Sequence, residues 1–282
     1  MSKQLTDAAV AQFDTEVKHE YQGMEMLRPT ARVRTGVVGS THRFPKMGKG
    51  MATPRVPQTD VVPMNIAHTN RTATLEDWNA PEYTDIFDQQ KVNYSERQQL
   101  AMVIAGAIGR RCDQLIIDAL DAASTSLTVA TSVGGSNTGL NVAKLRRAKQ
   151  LLDTNGVPAK DRAMVAHTIG NEQLLGETEV TSADYNSVRA LTSGEINTFL
   201  GFTFYFVEDR DEGGLTLSTN TRTNFAFHGG AMGAIGLAVG IEFSTSVDWI
   251  PEKTSWLANG IFSAGAIDID AGGIVDVSTY EA

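Results

Sequence analysis

The sequence predicts an α+β fold. Three features carry that expectation: one long amphipathic helix signal between residues 95 and 123, a glycine-rich half after it with short period-two runs, and an irregular, basic, proline-rich segment before it. Six of the eight prolines (Pro29, Pro45, Pro54, Pro57, Pro63 and Pro81) lie in that early segment. Between Glu25 and Asp60 there are seven basic residues and no acidic one. Such a stretch has little apolar material to bury, so it is either disordered or held by a partner.

The elements follow in order. Val10, Phe13, Val17, Tyr21 and Met24 repeat at helical spacing and predict an amphipathic helix from Thr6 to Met26. The runs ARVRTGVV and VVPMNIAHTNRTATL, on either side of the tip PKMGKGMATPRVP, predict an extended hairpin. A lone two-stranded ribbon is marginal in water, so this one leans on something else. Pro81, Glu82, Asp85 and Asp88 look like a helix start, and Ser95 with Gln98 has the spacing of a second one. Leu100, Val103, Ile104, Ala107, Ile108, Leu115, Ala119 and Leu120 then form one apolar face, flanked by polar Arg97, Arg110, Arg111, Asp113, Gln114, Asp118 and Asp121. From Ser95 to Ala123 this helix is roughly 40 Å long. Gly106 and Gly109 lower its propensity, so packing must hold it.

Beyond a Ser/Thr/Gly loop, Val142–Leu152 predicts a second helix, stopped by Asn155-Gly156 and Pro158. A short strand at Ala163–Ala166 and a short helix at Asn171–Leu175 come next. Phe202, Phe204 and Phe206 alternate with Thr203, Tyr205 and Val207 as in a strand. His228 to Gly240 reads as either a loosely helical turn or a closely packed strand. Ile241–Val247, Thr254–Phe262, Gly265–Ile269 and Ile274–Val277 read as further strands.

Composition narrows the class. At 282 residues and 41% hydrophobic the chain can form one large or two modest domains. A net charge of −9 argues against wholesale coating of nucleic acid. Cys112 is the single cysteine, which fits a reducing compartment. The first twenty residues read as a polar helix rather than a signal peptide, and no apolar run approaches the ~18 residues of a membrane span. A soluble intracellular protein without membrane contact is expected.

Catalytic and cofactor patterns are weak. Lys49 follows Gly48, but a phosphate loop needs a glycine where Arg43 stands and a hydroxyl where Gly50 stands. Gly229, Gly230, Gly233, Gly236 and Gly240 do not give the dinucleotide spacing. His19, His42, His68, His167 and His228 are scattered. Asp268-Ile269-Asp270 opens like a calcium loop, yet Thr279 replaces the closing glutamate, and a solvated turn is expected. Cys112 falls on the apolar face of the long helix and reads as inert packing. No G-x-S-x-G elbow occurs. The reading is of a non-enzymatic protein without a metal or cofactor; an unrecognised soluble enzyme is the alternative from another class.

The basic segment carries the candidate contact residues: Arg32, Arg34, Arg43, Lys46, Lys49 and Arg55. Three readings stand side by side. The segment is a solvated loop, a phosphate-contacting loop poor in aromatics for base stacking, or a docking element for acidic surface on another copy. Glu242 to Ala282 holds seven acids and one base, so the chain carries its own complement.

An N-terminal arm, an extended basic hairpin, the long helix around SERQQLAMVIAGAIGRRCDQLIIDALDAA, a mixed region with GEINTFLGFTFYFVEDRD, and the closing block NFAFHGGAMGAIGLAVGIEFSTSVDWIPEKTSWLANGIFSAGAIDID resemble the major capsid proteins of tailed bacteriophages, with the Hong Kong 97-type fold. The resemblance implies an N-arm at 1–29, an E-loop at 30–75 reaching over a neighbour, and a P-domain with its spine helix at 76–123. It further implies an axial A-domain at 124–240, P-domain return strands at 241–265 and C-terminal strands at 266–282. It implies a virion shell of pentamers and hexamers enclosing double-stranded DNA, assembled in the host cytoplasm. Scaffolding, portal and decoration proteins would be further partners, and DNA would meet the inner face non-specifically. No long scaffolding extension precedes the arm, which implies a separate scaffold or none. Some members cross-link through a loop lysine; Lys46 and Lys49 match by location only. Encapsulin compartments of the same fold are the alternative among shell proteins.

Overall fold

In the computed structural model, residues 23–89, 96–177, 198–210 and 212–281 are described. The strands are β1 (Arg32–Arg34), β2 (Thr41–Met47), β3 (His68–Thr74), β4 (Glu76–Asp85), β5 (Thr128–Val129), β6 (Arg162–His167), β7 (Thr198–Phe199), β8 (Phe202–Val207), β9 (Leu217–Ser218), β10 (Thr221–His228), β11 (Ile235–Ile250), β12 (Ser255–Asp268) and β13 (Ile274–Tyr280). The helices are α1 (Ile86–Gln89), α2 (Glu96–Asp121), α3 (Val142–Thr154) and α4 (Thr168–Leu175). Among the described residues no helix is long and apolar enough to cross a membrane.

Two sheets share α2. The first has the order β1-β11-β12-β4, with β1 parallel to β11 and the other pairs antiparallel. The second is seven-stranded, ordered β5-β13-β10-β6-β8-β7, with β9 on β10. Period-two alternation assigns its faces. Phe225, Phe227, Ala163, Val165 and Ile274 join the core with Ile108, Leu115, Ile116, Ile117 and Leu120 of α2. The intervening Ala226, Met164, Ala166, Val275 and Val277 pack with Leu145 and Leu152 of α3 and Leu174 of α4. Covering on both faces explains why every residue of β6 is buried.

The 26 residues of α2 span about 39 Å, as its periodicity predicts. Its apolar face differs in detail. Ile104, Ile108, Leu115, Ala119 and Leu120 are buried, whereas Val103 is exposed. Ile116 and Ile117 are buried too, because the C-terminal half is enclosed between both sheets. Asp113 and Gln114, read as polar flanks, are also buried. Gln114 holds the backbone at Gly214: its Oε1 accepts from Gly214 N at 2.8 Å, and its Nε2 donates to Asp118 at 2.8 Å. The Ser95/Gln98 pair lies outside the residues whose side chains are described.

α3 starts where its cap predicts. Asn141 Oδ1 accepts from Lys144 N at 2.8 Å. Lys144 is buried and donates to the carbonyls of Thr138 at 2.5 Å and Ser278 at 2.9 Å, tying the loop before α3 to β13. Burial pushes its ammonium down to about 8.

Several expectations are corrected. The expected helix start around Pro81 lies later: Pro81 itself is inside β4, the outer strand of its sheet, where proline is tolerated, and α1 begins at Ile86, with Asp85 accepting from Phe87 N at 2.7 Å. ARVRTGVV is not the first hairpin strand. Its Arg32–Arg34 pairs with Gly236–Ala238, and the hairpin ladder runs from Thr41↔Thr74 to Met47↔His68. β10, central to the large sheet, escaped the sequence reading, because Asn224 and Arg222 interrupt its apolar alternation. The runs at Thr254–Phe262 and Gly265–Ile269 are one strand, β12, and the small-residue stretch before Gly240 becomes the start of β11. Of the expected N-terminal helix, residues 1–22 lie outside the described residues, and 23–26 are not helical.

Two predictions follow from this packing. Ile108→Asp puts an unpaired charge where α2 meets both sheets, and should cost on the order of 4 kcal/mol; loss of the cooperative thermal transition would show it. The second concerns Asp276 on β13, whose carboxyl is raised to about 6, first by burial and then by Asp121. That value lies above the unfolded one of about 3.9, so the folded state holds the proton more tightly. The stability this group contributes is complete below about pH 4 and is lost as pH rises through about 6. Asp276→Asn should therefore raise the melting temperature at pH 7.5 by roughly 2 °C or more and flatten the melting profile between pH 4 and 6.

Candidate assembly surface

The β2–β3 hairpin stands on the first sheet by close backbone approach. A Cβ on Gly265 would land on the Thr74 carbonyl oxygen, and one on Gly236 would come within 2.8 Å of the Phe44 ring. Glycine at these two positions lets the hairpin root cross the sheet without a side-chain layer between. Phe44 and Ala73 bury themselves with Ala238 and Ile269, forming a small core at the root. Leu75 N donates to Ser40 O at 2.9 Å, and Val37 N to Val239 O at 3.0 Å, which closes the base.

Ion pairs then fix the ribbon. Arg71 on β3 donates its guanidinium to the Asp268 carboxylate and, at 3.1 Å, to the Asp268 carbonyl. Lys46 on β2 donates to Asp270 at 2.7 Å. Lys49 Nζ reaches the Asn155 carbonyl at 3.2 Å, a favourable place for a cation at the C-terminal end of α3. The Asp268-Ile269-Asp270 segment is thus not a solvated turn: Asp268 is buried and Ile269 joins the root core. Among the described residues no group of three or more His, Cys, Asp or Glu gathers as for a metal ion.

The six candidate contact residues separate. Arg32 lies half-buried on β1 at the wall of a cleft of about 760 Å³ beneath the hairpin, which Lys46 and Lys49 also line. Lys46 and Lys49 are held by their own chain. Arg34, Arg43 and Arg55 are exposed. The structure brings three of the six to one cleft and leaves three facing solvent. The sequence reading missed Arg71; Asp268 and Asp270 were among the seven acids expected to complement the basic segment on another copy, and here they pair with the hairpin of their own subunit.

From Met47 to Asn65 every residue is exposed, including Met51 at 82%, Val61 at 89% and Val62 at 73%. The first sheet offers a second open surface. Strand pairing places Asp77, Asn79, Pro81, Tyr83 and Asp85 of β4 on one face with Leu257, Asn259 and Ile261 of β12 and Asp248 of β11. The opposite face carries Trp78, Ala258 and Phe262 and is covered by α2, where Arg111 stacks 3.7 Å from the Trp78 ring. The hairpin root covers only the Gly236–Gly265 end of the open face.

The segment leading into β1 is anchored separately. Met26 N and Leu27 N donate to the buried Asp113 carboxylate at 3.0 and 2.9 Å, and Gly109 lets Glu25 pass close against α2. Burial raises the Asp113 carboxyl to about 6 although these N–H groups oppose the shift. Arg28 pairs with Glu242 at 2.7 Å.

A hairpin projecting from a sheet backed by one long helix, beside a second mixed sheet, defines a Hong Kong 97-type shell subunit. The chain matches the family model "Phage capsid protein" over residues 5–281 and belongs to that family. No curated protein matches it in sequence. Its fold is similar to the capsid structure of the cyanophage P-SCSP1u, at TM-score 0.77 and 16% identity over 99% of this chain and 95% of that one. It is similar to the structure from Mycobacterium phage Che8, at TM-score 0.71 and 17% identity over 95% and 96%. The head structure of Helicobacter pylori bacteriophage KHP40 gives TM-score 0.73 and 11% identity over 99% and 97%. The protein is a structural component of the phage virion, the major capsid protein of its head.

The seat makes a specific demand. Gly265→Val should lift the hairpin root from the sheet, and limited proteolysis should then cut between Thr41 and Thr74 at least about tenfold faster while the α2 core still melts cooperatively.

Proposed function

We propose that this capsid protein forms pentamers and hexamers of an icosahedral head that encloses double-stranded DNA, assembling in the host cytoplasm. The hairpin acts as the E-loop within 30–75. The arm occupies 1–29, the P-domain 76–123 and 241–265, and the A-domain 124–240 with the strands of 266–282. Scaffolding, portal and decoration proteins are further partners, and packaged DNA meets the inner face without sequence preference.

One observation carries the reading: the chain builds a rooted hairpin whose outer segment, residues 50–65, stays exposed among the described residues although it carries Met51, Val61 and Val62. The bare sheet face is the complement. It presents Asp77, Asp85 and Asp248 among Pro81, Leu257, Ile261 and Tyr83, whose ring carries Lys253 at 4.0 Å, whereas the hairpin brings Arg43 and Arg55 with Met51, Val61 and Val62. The tip of one copy lies on the face of the next. Each exposed ion pair contributes only about 0.2–1 kcal/mol, but the contact repeats around a closed lattice. The same charge match favours docking of the basic segment on protein over contact with phosphate.

Purified protein, free of nucleic acid, should sediment as capsomers or shells rather than as a 30.4 kDa species. Arg43→Glu with Arg55→Glu should impair that assembly, and Asp77→Lys with Asp248→Lys on the partner surface should restore it. A stable monomer under all assembly conditions contradicts the proposal. Intact empty shells with reduced DNA retention would assign the segment to phosphate.

A further inference from the structure

We infer that Asp268 and Asp270 are positioning residues for assembly, a two-pronged clasp that sets the angle at which the hairpin leaves its own subunit. The inference rests on the reading of the hairpin as the element that meets the neighbouring copy. Three consecutive residues read both strands of the ribbon. Asp268 takes Arg71 of β3, Asp270 takes Lys46 of β2, and Ile269 between them packs with Phe44 and Ala73. Phe44 and Arg71 are directly paired across the ladder, and Lys46 lies two residues further out, so the prongs grip the ribbon at successive levels.

The clasp is anchored on the body side as well. Asp268 ends β12, and its side chain is only 4% exposed. Asp270 Oδ1 also accepts from Gly272 N at 3.0 Å, which holds the turn into β13. Asn155 Nδ2 donates to the Gly272 carbonyl at 3.0 Å, joining that turn to the end of α3. The acids therefore sit on a frame shared by both sheets, while the cations sit on a ribbon of two strands that, among the described residues, pair only with each other. A short lever of this kind converts a small change at the root into a large displacement of the 48–67 tip.

The physical consequence is directional. The glycine seat and Phe44 fix where the hairpin is attached, but apolar contact is non-directional and leaves the ribbon free to rock. Charge-assisted hydrogen bonds to two separate carboxylates remove that freedom. Subunits whose hairpin leaves within a narrow range of angles meet their neighbours within a narrow range of curvature, and a shell of one size needs that restriction.

Three variants separate the clasp from a purely structural turn. Asp270→Asn keeps the acceptor for Gly272 N while removing the charge; Lys46→Met removes the other partner; Lys46→Arg conserves it. Hydrogen exchange on the unassembled subunit should show Phe44–Met47 and His68–Arg71 amides exchanging about tenfold faster in the first two variants and unchanged in the third, with the global melting temperature retained. Electron microscopy of assembled material should show mixed diameters or open sheets for Asp270→Asn and Lys46→Met, and wild-type particles for Lys46→Arg. Loosened amides with uniform wild-type particles would overturn the positioning role. Lys46→Met spoiling shells while Asp270→Asn leaves them unchanged would also overturn it, since Lys46 would then act on a neighbour. If the wild type forms no particles at all, the assembly reading falls, and the exchange data still decide whether the two acids hold the hairpin.

Discussion

Enclosure of the C-terminal half of α2 is the constraint on which the molecule depends. Ile108, Leu115, Ile116, Ile117 and Leu120 share one buried cluster with apolar side chains of both sheets, so one helix joins a four-stranded and a seven-stranded layer into one core. Full burial of a side chain of this size stabilises by about 1.5–3 kcal/mol, and these residues act together. The same helix carries polar groups that are buried for a purpose. Asp113 holds the backbone entering β1, and Gln114 holds the turn at Gly214. Core and connections are fixed by a single element.

On that frame the hairpin is half anchored and half bare. Its root is seated on glycine and closed by Phe44; its outer half exposes methionine and valine to water. A monomer gains nothing from such an arrangement. Solvent-exposed apolar groups beside cations become favourable only when another surface covers them. The open face of the first sheet, acidic and partly apolar, has the matching character, and one end of it is already covered by the root of its own hairpin. Under the proposed assembly each subunit offers both a projecting ribbon and a place for one, a head-to-tail relation that propagates until it closes.

Much of this was legible in the sequence. α2 was, because its apolar spacing is long and regular, and so were α3 with its Asn141 cap and β8 with its alternating phenylalanines. The hairpin was expected, but its register was not, because the pattern in ARVRTGVV equally suits β1, and only the pairing with Gly236–Ala238 decides between them. β4 was masked by Pro81, whose tolerance depends on the strand being outermost, a fact of topology. Asp268 and Asp270 were legible as acidic complement to the basic segment, but not as the partners of Arg71 and Lys46 in the same subunit. Their partners lie 197 and 224 residues away, a separation that no local spacing encodes. The glycine seat was invisible for a similar reason: Gly236 and Gly265 matter through Phe44 and Thr74.

The central claim is that the bare outer half of the hairpin is a docking element for a second copy. A cryo-electron microscopy map of the assembled particle, resolved well enough to trace residues 48–67, tests it most directly. The account predicts that this segment lies on the neighbouring subunit's first sheet, beside Asp77, Tyr83 and Asp248, with Met51, Val61 and Val62 covered. A tip that remains in solvent in the closed shell, or folds back onto its own subunit, would contradict it.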